Sequence, residues 1–190
     1  MATRKLVGEK IKGIREDKKL TLEQVAENSG LDIAIVREIE ENKNIPSLAP
    51  LIKIARALGV RLGTFLDDSD NLGPVVCRAG EATKAMSTSN ATARSNSHLD
   101  FASLANQKAG RHMEPFIINI TNKETETLQK SSHEGEEFIY VMEGKVKIVY
   151  GQNEYLLEAG DSIYYDSIVD HLVCAAENHA RILAVVYTPF

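Results

Sequence analysis

The chain has no tryptophan and only two cysteines, Cys77 and Cys174. They lie far apart and neither belongs to a CxxC pair, which excludes a disulfide-stapled scaffold and a dithiol redox motif. Both are expected to be free, small and mostly buried. No apolar run approaches the ~20 residues that span a bilayer, so no membrane partner is expected. Met1-Ala2-Thr3-Arg4-Lys5 leads straight into an amphipathic pattern with no signal-peptide core, which points to a cytoplasmic protein. Self-similarity of the solenoid kind is missing too, so repeat architectures are set aside.

A large net charge is also lacking, since the whole chain carries only −5. That charge is unevenly spread. Residues 1–66 hold 12 Lys+Arg against 9 Asp+Glu, while residues 67–190 hold 10 against 18. A mildly basic end joined to an acidic remainder suggests two parts with different partners. The excess is too modest to establish nucleic-acid binding by itself.

Period divides the chain the same way. Val7, Ile11 and Ile14 share one helix face, and Asp17-Lys18-Lys19 ends that run. Thr21 with Gln24 three residues later forms a capping box, and Gly30 stops the short helix that follows. Asp32 can cap a third helix with Ile35, Val36 and Ile39 inward. After the break at Asn42-Lys43-Asn44-Ile45-Pro46, Ser47 caps a fourth helix that buries Leu48, Leu51, Ile52, Ala55 and Leu58. Leu62, Phe65 and Leu66 fit a fifth. Asp67 to Pro74 is polar and turn-rich. The expected division is a first domain over 1–68, a linker over 69–74 and a second domain over 75–190.

Residues 86–97 are poor in apolar side chains and read as a loop, hairpin tip or mobile segment. From about residue 114 the period becomes two. Segments 116–120, 138–142, 146–150 and 182–187 are rich in β-branched and aromatic residues. Glu143-Gly144-Lys145 and Gly151-Gln152-Asn153-Glu154 are expected to be hairpin turns. Short strands at this spacing suggest a sandwich or barrel.

Two short helices with a tight turn need a small residue at their crossing, a glycine in the turn and aliphatic residues beneath. Ala26, Gly30, Val25, Leu31, Val36 and Ile39 supply them. Residues 20–58, including Asn44-Ile45-Pro46-Ser47-Leu48 and the run from Leu51 to Val60, resemble the Xre-type (Cro/C1-like) helix-turn-helix family. That resemblance implies a double-stranded DNA operator as partner. It places the DNA-binding positions at Thr21, Leu22, Asp32, Ile33, Ala34, Arg37, Glu38, Asn42, Lys43 and Asn44, with Lys53 as a further phosphate contact. Leu22 stands where members commonly carry glutamine, and Asn42 stands at the usual glycine. Ile33 and Ala34 could touch thymine methyls and Glu38 could accept from cytosine N4.

The stretch Ser131 to Gly144 resembles the first motif of the cupin superfamily, and Gly160 to Asp166 followed by His171 resembles the second. The resemblance implies a small β-barrel, the double-stranded β-helix, with four ligand places at Ser131, His133, Glu137 and His171. On a regular strand 131, 133 and 137 would share one face. His133, Glu137 and His171 would suit one divalent transition metal, Zn, Mn, Fe or Ni. Ser131 replaces the family's first histidine, so the pocket either holds metal on three ligands or hydrogen-bonds within itself or to an effector. Arg111 could clamp an anionic effector and Tyr140 could line the same pocket.

The expected fold class is therefore α+β in two domains, a five-helix helix-turn-helix bundle followed by a cupin barrel. The whole resembles the helix-turn-helix–cupin transcriptional regulators. That implies a non-enzymatic homodimer that binds DNA and senses a small-molecule effector. The alternatives are a metal-dependent cupin enzyme of dioxygenase or isomerase type, and a protein-interaction adaptor.

Overall fold

The computed structural model describes residues 6–43, 48–66, 71–84, 99–121 and 128–189. Helices come first: α1 (Val7–Asp17), α2 (Leu22–Ser29), α3 (Ile33–Glu40), α4 (Leu48–Ala57) and α5 (Gly63–Leu66). Strands follow: β1 (Thr83–Lys84), β2 (Leu99–Ser103), β3 (Met113–Thr121), β4 (Glu136–Tyr150), β5 (Asn153–Glu158), β6 (Ser162–Asp166) and β7 (His171–Tyr187). No helix among the described residues is long and apolar enough to cross a membrane.

Local chemistry explains the helix ends. The Thr21 hydroxyl accepts from the Gln24 amide at 3.2 Å, and the Gln24 side chain accepts from the Thr21 amide at 2.8 Å. Gly30 takes the left-handed conformation with φ 66°, and the Asp32 carboxylate accepts from the Ala34 amide at 2.7 Å. Ser47, the expected cap of α4, lies outside the described residues. Ile11, Val25, Val36, Ile39, Leu51, Ile54 and Phe65 are fully buried beneath the helices. Each such side chain contributes roughly 1.5–3 kcal/mol by leaving water.

The inward stripe of α3 differs from expectation. Val36, Ile39 and Glu40 face the core, and Ile35 is 37% exposed because it lies about 100° around the helix from Val36. Glu40 is buried because the Arg15 guanidinium grips it with two contacts of 2.6 and 2.9 Å. Gly8 lets α1 approach α3, since a Cβ there would stand 2.1 Å from the Ile39 carbonyl oxygen.

All strand pairings are antiparallel, in the order β1-β2-β3-β7-β4-β5, with β6 added to the other edge of β4's first half. The expected turn at Glu143-Gly144-Lys145 is a correction. The chain runs on through it as one strand, bent by register shifts between Val141 and Val146. It does not reverse there because both halves of β4 pair with the same long strand, β7. Gly144 has φ 77°, and a Cβ on it would lie 2.5 Å from the His179 carbonyl oxygen. The second expected turn does close a hairpin, with Tyr150 opposite Asn153. Residues 86–97 lie outside the described residues. Cys174 is buried as expected, and Cys77 is exposed.

The strands alternate as a half-buried sheet should. Ile139, Val141, Val146 and Ile148 of β4 meet Phe116, Ile118 and Ile120 of β3 and Ile182, Ala184 and Val186 of β7 in the interior. A backbone bridge from Ser131 to the first residue of β7, His171, adds a second partner to that strand's start. Both of its hydrogen bonds are 2.9 Å long.

Candidate functional site

Three of the four expected ligand positions come together. The His133 Nε2 lies 2.7 Å and the His171 Nε2 3.4 Å from the same carboxylate oxygen, Glu137 Oε1. All three residues are buried, and their ligand atoms lie within 4.8 Å of one another. β4 supplies Glu137 and β7 supplies His171. The regular-strand expectation for 131 and 133 is corrected, because β4 begins only at Glu136. His133 is instead carried by a turn pinned to the loop after β6. Its amide donates to the Ser167 carbonyl, and the Ser167 amide donates to the Gly135 carbonyl, both at 2.9 Å. Gly135 is needed there, with φ 109° and no room for a Cβ, which would sit 2.0 Å from the Tyr187 carbonyl oxygen.

The rings are oriented for cation binding. His133 Nδ1 lies 2.9 Å from the Glu134 carbonyl oxygen, and His171 Nδ1 lies 2.8 Å from that of Val169. A carbonyl only accepts, so each Nδ1 carries a hydrogen and each ring turns its Nε2 toward Glu137. Two ring nitrogens and a carboxylate oxygen converging on one spot need a proton or a metal ion between them. Carbonyls that fix the tautomer from behind are the usual outer partners of metal-binding histidines. The donor set therefore fits a divalent transition metal.

Electrostatics agree with that arrangement. Burial pushes the Glu137 carboxyl up, but its hydrogen bonds with His133 and His171 outweigh this and hold it well below the usual carboxylate range. Burial pulls His171 down, and the facing Glu137 carboxylate lifts it above the ordinary imidazole value. Tyr165, on β6, is buried beside the cluster. Its hydroxyl donates to Glu137 Oε2 at 2.8 Å, and burial, then the Glu137 charge, raise its pKa far above normal. Ser167 adds a contact to Glu137 Oε1 at 3.3 Å. The pairing of Glu137 with Tyr165 across β4 and β6 was not legible from spacing.

The remaining pocket expectations change. Ser131 meets His171 through backbone rather than as part of the ligand cluster. Tyr140 is three residues from Glu137 on β4, an odd offset, and faces outward with 40% exposure. Arg111 is no open anion clamp. Its guanidinium is buried, held at 2.8 Å by Glu114 and at 2.6 Å by the Lys108 carbonyl.

On the helical side, Asp32, Ala34, Arg37 and Glu38 stand exposed along α3. Leu22 and Ile33, two of the expected DNA-binding positions, are half-buried and pack partly against the core. Thr21 is exposed but its side chain caps α2. Asn42 takes φ 54° where the family favours glycine, and its side-chain oxygen accepts from the Gly8 amide at 2.9 Å, so it holds α1. Lys43 pairs with Glu41 at 2.5 Å. Asn44 lies outside the described residues. Lys53 lines a cleft against the second half rather than the α3 surface.

A helix-turn-helix bundle followed by an antiparallel cupin barrel defines a DNA-binding transcriptional regulator with a cupin domain. The family profile described as helix-turn-helix matches residues 11–65, and the one described as cupin domain matches residues 118–186. The HTH-type transcriptional regulator PuuR of Escherichia coli (strain K12) is 23% identical over 164 residues, 86% of this chain and 84% of PuuR. The crystal structure of an HTH_3 family transcriptional regulator from Vibrio cholerae superposes with a TM-score of 0.68 at 22% identity, covering 97% of this chain and 96% of that one. The FeII form of HppE shares the fold with a TM-score of 0.51 at 22% identity, over 95% of this chain and 97% of its own. The chain thus joins a helix-turn-helix domain to a cupin domain, the architecture of the helix-turn-helix–cupin regulators.

Proposed function

We propose that the protein is a homodimeric, cytoplasmic transcriptional regulator in which α3 enters the DNA major groove and the cupin half senses a small molecule. The observation that carries this is the coexistence of an exposed α3 face, beside helices capped by Thr21 and Asp32, with a buried, pre-oriented His133–Glu137–His171 cluster. Ala34, Arg37 and Glu38 are the base-edge readers, and Lys43 contributes to phosphate once DNA displaces Glu41. The division of function falls at 69–74, between the last helix and the strands.

A metal such as Zn, Mn, Fe or Ni would be held by His133, Glu137 and His171 and would supply a Lewis-acid anchor with open positions for water or effector. Tyr165 keeps the Glu137 carboxylate turned toward the histidines. Ser131 adds no imidazole, and three donors suffice for such a centre.

The dimer is supported by an outward apolar face. Tyr164, Phe138, Val185 and Pro115 form one row across four strands, and Tyr140, Leu183 and Ile117 form the next. Met113, Met142 and Tyr164 there are 62%, 45% and 62% exposed. Apolar surface of this extent marks an interaction site. A second copy would bring two α3 helices to half-sites about 34 Å apart.

Mobility-shift titration of DNA upstream of its own gene tests the reading. Specific retardation that Arg37→Ala abolishes is expected, and no retardation with or without Zn, Mn, Fe or Ni rejects it. A second reading, a metal-dependent enzyme, is favoured by the ligand cluster alone. Metal-loaded protein that turns over a substrate but ignores DNA would select it.

A further inference from the structure

A cleft of about 160 Å³ separates α2 and α4 from the mouth of the barrel. It is small beside typical ligand pockets of roughly 300–1,000 Å³, so its occupant is small. Lys53 and Arg56, one turn apart on α4, line one wall. Ser132, His133 and Glu134 line the other, and Ile52 and Ile168 give it two apolar patches. Lys53 is half-buried and meets no carboxylate among the described residues. Arg56 does meet one, pairing across the cleft with Glu134. Arg56 is exposed and Glu134 half-buried at the rim, and such pairs near water are worth only about 0–1 kcal/mol, so a competing anion displaces it cheaply. Asn28 and Thr188 add neutral polar groups to the lining.

We propose that this cleft is a binding site for a small carboxylate, held by Lys53 and by Arg56 after Glu134 has been displaced. The proposal deepens the effector-sensing reading above by naming the site and the ligand class. The cleft lies beside the barrel cluster, with His133 in its lining, at the junction of the two halves. The ligand touches the turn that carries His133 on one side and the helix pair α2–α4 on the other. It exchanges an interdomain ion pair for contacts made through the ligand, so it alters how the helical half is held against the barrel.

Calorimetric titration of the full-length protein with acetate, succinate and glutarate, at an ionic strength fixed with chloride, tests the site without DNA. One of these binds once per chain. Lys53→Gln weakens it about tenfold, the size of a lost charge-assisted hydrogen bond. Glu134→Gln tightens it about threefold by removing the internal competitor. That opposite sign cannot come from a variant that merely folds poorly. Ile168→Trp, at an exposed position, fills the cleft and abolishes binding. No binding by any of the three, binding unmoved by Lys53→Gln, or weaker binding in Glu134→Gln overturns the proposal. Mobility shifts on the same preparations keep the two readings apart. DNA binding without carboxylate binding rejects the cleft alone, and carboxylate binding without DNA binding rejects the regulator alone.

Discussion

The two halves of the molecule place their chemistry in opposite ways. In the helical half the proposed reading side chains, Ala34, Arg37 and Glu38, stand on an exposed face, and Arg15 with Glu40 forms a buried ion pair. In the strand half the proposed ligand side chains, His133, Glu137 and His171, are buried and the exposed face is apolar. A groove reader has to present its donors to a partner larger than itself. A cation site has to surround something smaller. The contrast also fixes what each mutation should do: α3 surface changes affect binding without stability, and cluster changes affect ligation.

The largest effect tests the structural charge. Glu40→Ala leaves the nearly buried Arg15 guanidinium with only the Leu20 carbonyl at 3.0 Å and a looser Glu16 contact at 3.6 Å, and should cost about 3 kcal/mol of stability. Urea denaturation read by circular dichroism measures it, and the Arg15→Met/Glu40→Met double variant should recover most of the loss. A double variant as unstable as the single one would mean that the pair is not what holds α1 to α3.

The next effect lies in the barrel. Glu137→Gln should reduce transition-metal affinity about 100-fold, with α3-dependent DNA chemistry intact in the isolated contact. Elemental analysis after equilibration with Zn or Mn reads it. Tyr165→Phe removes only the hydrogen bond behind Glu137, and about a tenfold loss is expected. If the two variants lose affinity equally, Tyr165 is more than a positioning residue.

The smallest effect returns to the helices. Thr21→Ala deletes a cap and should cost about 1 kcal/mol. Thermal melting gives the figure, and an unchanged midpoint would show that tertiary contacts alone hold α2.

How much of this could be read in the sequence differs between the halves for a physical reason. Helix caps are contacts between residues two or three apart, so Thr21–Gln24 and Asp32–Ala34 were legible, as was the left-handed Gly30. The face assignment of Ile35 failed because a three-residue stripe does not say which neighbour is central, and the inward arc ran on to Glu40. In the barrel, His133, Glu137 and His171 came from motif resemblance, and the structure does gather them. What spacing could not supply was strand pairing. The Gly144 bend looks like a turn until β7 is known to pair with both halves of β4. Tyr165 rather than Tyr140 meets the cluster for the same reason, since only register shows that Tyr165 stands opposite Glu137. Arg111 is only three residues from Glu114, yet nothing local says that both are buried.

The central claim is that the exposed face of α3 reads DNA for a dimer built on the cupin half. Selection of bound duplexes from a random pool by the full-length protein tests it most directly. The account predicts enrichment of a two-fold symmetric site with half-sites about 10 base pairs apart, centre to centre, lost on Arg37→Ala and on Tyr164→Lys at the apolar outer face. Enrichment of no sequence, or of a site indifferent to both substitutions, would contradict it.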